Sequence, residues 1–207
     1  IKETLAKIVF LLGAWVSILA VALICIFLFA NGIPAMAEIG LGDFLLGTTW
    51  RPSNGLYGIF PMILGSIYVT AGAVLLGVPV GIMTAMYMAF FAGKHTLRIL
   101  QPAVELLAGI PSVVYGFFGL VVIVPLVDQL PRSNGSCILT ASILLGIMIL
   151  PTIITVSKSA LDAVSKSYYE GSLALGATHE RSVFAIMLPA AKSGVLAGVI
   201  LGIGRAI

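Results

Sequence analysis

Five long apolar stretches limit this chain to very few folds. Backbone polar groups placed in lipid must be satisfied internally, which leaves α-helices or a closed barrel. These stretches are continuous rather than ten-residue alternations, so they read as helices. A helix needs about 20 apolar residues to cross the hydrocarbon core. Ile8 to Ala30 carries no charge and is long enough. Only 9% of the 207 residues are charged, against roughly 25% in a soluble domain, so there are too few charges to cover a globule. The fold class expected is all-α, a polytopic transmembrane bundle. The net charge of +3 is small, and nothing in its pattern points to nucleic acid.

Leu56 to Gly93 is uncharged for 38 residues, too long for one simple crossing. Its start, Tyr57-Gly58-Ile59-Phe60-Pro61, reads as an interfacial entry, and the crossing itself as about Pro61 to Phe90. Pro79 within Gly77-Val78-Pro79-Val80-Gly81 predicts a kink. A third span runs from about Ile99 to Val127 and is broken at Gly109-Ile110-Pro111-Ser112. A fourth covers about Ser136 to Ser157, with Pro151 inside it. A fifth begins near Lys192 and is still apolar at Ile207. The expectation is one transmembrane domain over residues 1–207, incomplete at its C-terminal end. Cys25 and Cys137 are far apart and have no ligand-spaced neighbours, so they read as small apolar residues and no metal site is expected. The first apolar run has no cleavage pattern and reads as a span or uncleaved anchor.

Orientation follows the loop lysines and arginines. Lys2, Lys7, Lys94, Arg98, Lys158, Lys166, Arg181 and Lys192 fall on one side; Arg51 and Arg132 fall on the other. This bias puts the N-terminus and the 158–191 loop in the cytoplasm, and Asn31 to Asn54 outside as a loop with short interfacial pieces. Arg205 is left at membrane depth.

The 158–191 loop has its own pattern. Ser167 and Glu170 stand at capping-box spacing, opening a short helix that runs to about Leu175. Gly176 suits the left-handed turn that ends it. Thr178 can cap a second helix with Glu180 in its first turn. Such a helix–turn–helix outside the bilayer exposes Tyr168, Tyr169, Leu173 and Leu175, apolar surface that calls for a partner. His95 and His179 lie on the same side without metal partners and read as solvated or as partner contacts. Glu105, near the end of the third span, reads as snorkelling or paired with Lys94 or Arg98, with a gating role as the alternative.

The spacing Glu170-Gly171-Ser172, three residues, Gly176, nine residues, Ile186-Met187-Leu188-Pro189 resembles the EAA loop of permease subunits of bacterial ATP-binding-cassette importers. The family pattern has two alanines where this chain has Gly171 and Ser172. In that family the short helix docks in a groove of the ATPase and passes its closure to the spans. An amphipathic loop on lipid headgroups explains the apolar face but not the spacing. The segments Glu105-Leu106-Leu107-Ala108-Gly109-Ile110-Pro111-Ser112-Val113-Val114-Tyr115-Gly116, Phe44 to Pro52 and Gly198 to Ala206 resemble phosphate permease subunits of the PstC type. The resemblance implies a type I importer permease with six spans, so one further helix is expected beyond the five visible. It also implies a PstA-type permease partner, two cytoplasmic ATPase subunits and an extracytoplasmic phosphate-binding protein. ATP and magnesium would sit on the ATPase, since this chain has no Gly-rich nucleotide loop, and no cofactor or catalytic residue is expected on this chain. The location implied is the cytoplasmic membrane of a bacterium or archaeon.

Three residues are candidates for a substrate path. Arg205 is an ionisable group inside a span, where a charge is costly and usually faces a polar cavity. Its planar fork suits an oxyanion; the alternative is a pair with an acid on a neighbouring helix or subunit. Pro111 and Ser112 restart a broken helix whose free amides could meet an anion, or they form a packing kink with Gly109 and Gly116. Two rival functions remain in the residues: the permease of a molybdate or sulfate importer, and a secondary transporter. The second should couple through buried acids, and no acid stands at a span centre.

Overall fold

The computed structural model describes residues 2–130 and 134–207; Arg132, one of the two charges assigned to the outside, lies beyond them. The chain falls into two compact units, one ending at Leu64 and one running from Gly65 to Ile207.

The first unit opens with helix α1 (Lys2–Ile39), 38 residues long with Pro34 inside it. The apolar run alone predicted an end near Ala30 and a loop from Asn31. The helix instead continues for more than two further turns. Pro34 removes one amide donor, but every other backbone group gains its partner by staying helical. Asn31 spends its side-chain amide on the Phe27 carbonyl at 2.7 Å rather than ending the helix. Helix α2 (Leu41–Leu46) follows, then a minimal hairpin of β1 (Trp50–Arg51) and β2 (Leu56–Tyr57) joined by a 3₁₀ turn over Pro52–Asn54. Trp50 pairs with Tyr57 across the hairpin, and their rings meet edge to face at 5.8 Å. Backbone bonds from Ile59 to Phe44 and from Phe60 to Gly47 tie the hairpin to α2. The segment read as a loop with interfacial pieces is thus ordered, and its two short strands are the one departure from an all-helical chain among the described residues.

Helix α3 (Phe60–Met86) starts in this unit and runs on through Pro79 without interruption. It ends in a π-helical turn over Tyr87–Phe91. In the second unit come α4 (Lys94–Gly109), α5 (Ser112–Phe118), a π turn at Gly119–Ile123, and α6 (Val124–Asp128). The predicted third span is therefore a sharp corner rather than a kinked rod: α4 and the α5–α6 segment are bent by 96°. Pro111, extended at ψ 141°, fixes the corner. Tyr115, buried one turn into α5, donates its hydroxyl to the Leu107 carbonyl at 2.8 Å. That bond gives a second partner to the Leu107 carbonyl, which also accepts the Ile110 amide at 3.3 Å at the end of α4.

Helix α7 (Ile138–Asp162) continues a full turn past Ser157, with Pro151 inside it. After it come α8 (Lys166–Ala174), α9 (His179–Ser182), a π turn at Val183–Met187, α10 (Leu188–Ala190) and α11 (Lys192–Ala206). The chain bends by 71° between the α9–α10 segment and α11. Three helices are long and apolar enough to cross a membrane, and five spans result when each bent pair counts as one.

Helix α7 is the centre of the second unit. Ile149, Ile153 and Leu161 are fully enclosed. Glycines let both neighbouring helices approach it. A Cβ at Gly77 of α3 would stand 2.9 Å from Ile149, and one at Gly202 of α11 would stand 2.8 Å from Ile153. Gly81 and Gly198 repeat the pattern one turn along, and Gly194 two turns along. Small residues at helix contacts are how spans associate when lipid and leucine are equally apolar.

Candidate coupling loop and intramembrane arginine

The candidate coupling loop is built from α8, α9 and the turn between them. Its helix starts two residues earlier than the capping-box spacing predicted. Ser165 is the cap, accepting from the Ser167 amide at 3.4 Å, and the Ser167 hydroxyl lies 2.8 Å from the Ser165 hydroxyl. Both serines are competent caps; the earlier one gains two more helical residues. The capping box between Ser167 and Glu170 consequently does not form.

Gly176 does what its position predicted. Its φ is +84°, the left-handed region. The Gly176 amide reaches the Leu173 carbonyl at 2.9 Å and the Ala177 amide reaches Ser172 at 3.1 Å. These two bonds form the Schellman closure of a helix end. Thr178 then caps α9, accepting from the Arg181 amide at 3.3 Å.

The two helices are stitched together by polar side chains that the sequence alone did not single out. Ser172 lies 2.7 Å from the fully buried Ser182 hydroxyl and 2.7 Å from the Tyr169 carbonyl. Ser182 in turn reaches the Thr178 carbonyl at 2.9 Å. Three short contacts share two hydroxyl protons, so the serines form one network. Tyr169, expected at the surface, is half-buried, with its hydroxyl 2.7 Å from His179 Nδ1. His179, expected in solvent or against a partner, also meets the Phe91 ring edge-on at 4.6 Å. Phe91 closes the π turn that ends α3, so His179 clamps the loop to that helix.

Behind this clamp the loop is rooted in apolar packing. Val183 and Met187 are buried with Ala85, Met86, Leu161, Ala191 and Val195. Of the Ile186-Met187-Leu188-Pro189 run, Met187 is the enclosed residue; Leu188 packs beside the cluster, while Ile186 and Pro189 are exposed. The π turn over 183–187 sets that register, since its wider ring shifts which side chains face inward. Outward, Tyr168, Leu173 and Leu175 are exposed as expected, Leu175 at 91%. Glu170 and Gly171 are exposed beside them. The signal for the buried anchors was present as the i, i+4 pair Val183 and Met187, but a π turn cannot be read from spacing.

Arg205 stands on the last turn of α11. It donates from Nη1 to Thr152 Oγ1 on α7 at 3.1 Å. Among the described residues no acid pairs with it. Pro111 and Ser112 sit at the corner between α4 and α5, both exposed. The Pro111 carbonyl takes the Val114 and Tyr115 amides, leaving those of Ser112 and Val113 in the first turn. No hydrogen bond among the described residues joins Arg205 to this corner. Glu105 accepts from Gln101 at 3.2 Å rather than pairing with Lys94 or Arg98. Among the described residues the ion pair is Lys158 with Asp162, one turn apart on α7 at 2.7 Å.

The family described as binding-protein-dependent transport system inner membrane component matches residues 77–207. That range runs from the middle of α3 through the coupling loop and α11. The chain is 39% identical over its whole length to "Probable ABC transporter permease protein YqgH" of Bacillus subtilis, covering 68% of that protein. It is 31% identical to "Phosphate transport system permease protein PstC" of Mesorhizobium japonicum over 89% of this chain and 62% of that one. It is 32% identical to the protein of the same name from Haemophilus influenzae, over 99% of this chain and 71% of the relative. The chain thus spans about two-thirds of the length of the curated relatives it matches.

Proposed function

Since the chain belongs to the binding-protein-dependent transport system inner membrane component family, we propose that it is a permease subunit of an ATP-driven phosphate importer. The observation that carries the substrate is the likeness to relatives named as phosphate permeases over nearly the whole chain. The chain forms one half of a translocation path in the cytoplasmic membrane, with a PstA-type permease as the other half. Two ATPase subunits bind ATP and magnesium on the cytoplasmic side, and this chain hydrolyses nothing. An external phosphate-binding protein delivers the substrate. The charge bias places the N-terminus and the 158–191 loop in the cytoplasm.

Coupling runs through Glu170, Gly171, Ser172, Gly176, Ile186, Leu188 and Pro189. Exposed Tyr168, Leu173 and Leu175 give α8 a face for the motor. The serine network and the His179 clamp favour movement of α8 and α9 as one piece. Packing of Val183 and Met187 against α3, α7 and α11 offers the route by which that movement enters the spans. Closure of the motor then shifts the bundle between two helix arrangements. Arg205, with Pro111 and Ser112 as further candidates, meets the anion. Arginine is suited to this because its fork donates parallel hydrogen bonds to an oxyanion.

The test is ATP-dependent uptake of radiolabelled phosphate by proteoliposomes that hold the full-length subunit, its partner permease, the ATPase and the binding protein. Wild type should take up phosphate, and sulfate and molybdate should not compete. Gly176→Asp should leave ATP hydrolysis running without uptake, and Arg205→Lys should lower uptake strongly to a measurable residual rate with assembly intact. Uptake that runs without ATP sinks the coupling reading. A preference for sulfate or molybdate sinks the substrate.

A further inference from the structure

We infer that Thr152 is a positioning residue of the anion path: its hydroxyl aims the Arg205 guanidinium and stands beside it as a second donor. The inference rests on the reading of Arg205 as the anion-contacting group. It begins from one bond across two helices, Arg205 Nη1 to Thr152 Oγ1 at 3.1 Å.

An arginine has a long side chain with many rotamers, and a site that depends on it must hold it in one. An acid would hold it most strongly, but a carboxylate at the guanidinium would neutralise it and repel an incoming anion. A threonine hydroxyl avoids both costs. It accepts one guanidinium N–H and leaves the charge and the other donors free. Among the described residues Thr152 gives its own proton to no other group, so that proton is available to the same oxyanion. A hydroxyl that accepts from Arg and donates to the anion extends the guanidinium's donor array by one. Such chains also polarise each other in a low-dielectric setting.

The backbone geometry holds this pair fixed. Thr152 follows Pro151, and the proline ring fixes φ at that step of α7. Its neighbour Ile153 is fully enclosed, with a Cβ at Gly202 standing 2.8 Å away. Gly202 is one turn before Ala206, which is itself buried in the cluster with Ile149 and Ile153. The helices that carry Thr152 and Arg205 are therefore in contact on either side of the pair. The pair itself faces out of the packed core, with Thr152 partly exposed and Arg205 exposed.

The experiment is the complete importer in proteoliposomes, carrying Thr152→Val, Thr152→Ser, Arg205→Lys and the Thr152→Val/Arg205→Lys double variant. Phosphate uptake and ATPase stimulation by the loaded binding protein are both read. Valine keeps the shape and removes the hydroxyl; a hydrogen bond to a charged group is worth about tenfold or more in an equilibrium constant. Thr152→Val should cut the maximal uptake rate about tenfold with stimulated ATPase activity retained, and Thr152→Ser should restore it. In the Arg205→Lys background, Thr152→Val should cost nothing further, because the two act as one unit. Wild-type uptake from Thr152→Val overturns the inference. So does a serine variant as defective as the valine one, which would make Thr152 a packing residue. Independent, multiplicative losses in the double variant overturn it as well. Normal uptake by Arg205→Lys strikes instead at the reading of Arg205, and with it at this inference.

Discussion

Gly176 shows how much one backbone angle can specify. At φ +84° an alanine is strained by about 1 kcal/mol, because its Cβ crowds the following carbonyl. Nothing beyond its own chain neighbours lies within 4 Å of where that Cβ would be, so the cost is local to the backbone and no packed neighbour is displaced. Gly176→Ala should therefore lower the melting temperature of the assembled complex slightly while leaving its partners bound. Gly176→Asp adds a charge to the same strained position, and uptake should suffer far more than stability. If Gly176→Ala were neutral in a differential melting experiment, the left-handed turn would not be a constraint. Gly176 was legible as a helix stop from its spacing to Glu170. Ser182 was not: its enclosure depends on α8 and α9 folding back on each other, and no local pattern marks a serine as buried. The same holds for His179, whose neighbours Tyr169 and Phe91 are 10 and 88 positions away in the sequence.

Among the elements, the contact of α7 with α11 carries most of the second unit's order. Gly194, Gly198 and Gly202 place the two backbones against each other, and a Cβ at Gly202 would meet Ile153 at 2.8 Å. Gly202→Val should destabilise the subunit by about 1–3 kcal/mol through overpacking. It should also draw Arg205 away from Thr152, so uptake should fall with ATPase coupling reduced in parallel. Thermal unfolding in detergent and uptake by the same preparation check both; an unchanged melting curve would show the contact to be looser than described. Helix existence was readable from apolar length throughout. Helix shape was not. The corner between α4 and α5 was visible as Gly109-Ile110-Pro111-Ser112, but its 96° angle and the bond from Tyr115 back to Leu107 across it were not. The continuation of α1 past Pro34 went the other way. A proline that ends a helix in water is tolerated where every other backbone group would otherwise lose its partner.

At the scale of the whole molecule, the charge bias makes a topology prediction. Single cysteines at Ser53 and Ser167, in a background where Cys25 and Cys137 are replaced, should behave oppositely in intact cells. The first should react with a membrane-impermeant maleimide added outside, and the second only after permeabilisation. Reversed labelling would invert the orientation and remove the coupling loop from the ATPase side. Such a result would overturn the transport reading more directly than any uptake assay.

Residue type and spacing by themselves determined that this chain is a helical membrane protein, that its third span breaks at Pro111, and which loop has the permease pattern. The reason is physical: lipid accepts only backbones that satisfy themselves, and the positions of Pro, Gly and capping residues are local signals. The tertiary structure alone decided which side chains tie that loop to the spans, and which partner Arg205 has. Those contacts join residues far apart in sequence, such as Ser142 with Val69 and Arg205 with Thr152. They exist only because glycines on α3 and α11 let these two helices close on α7.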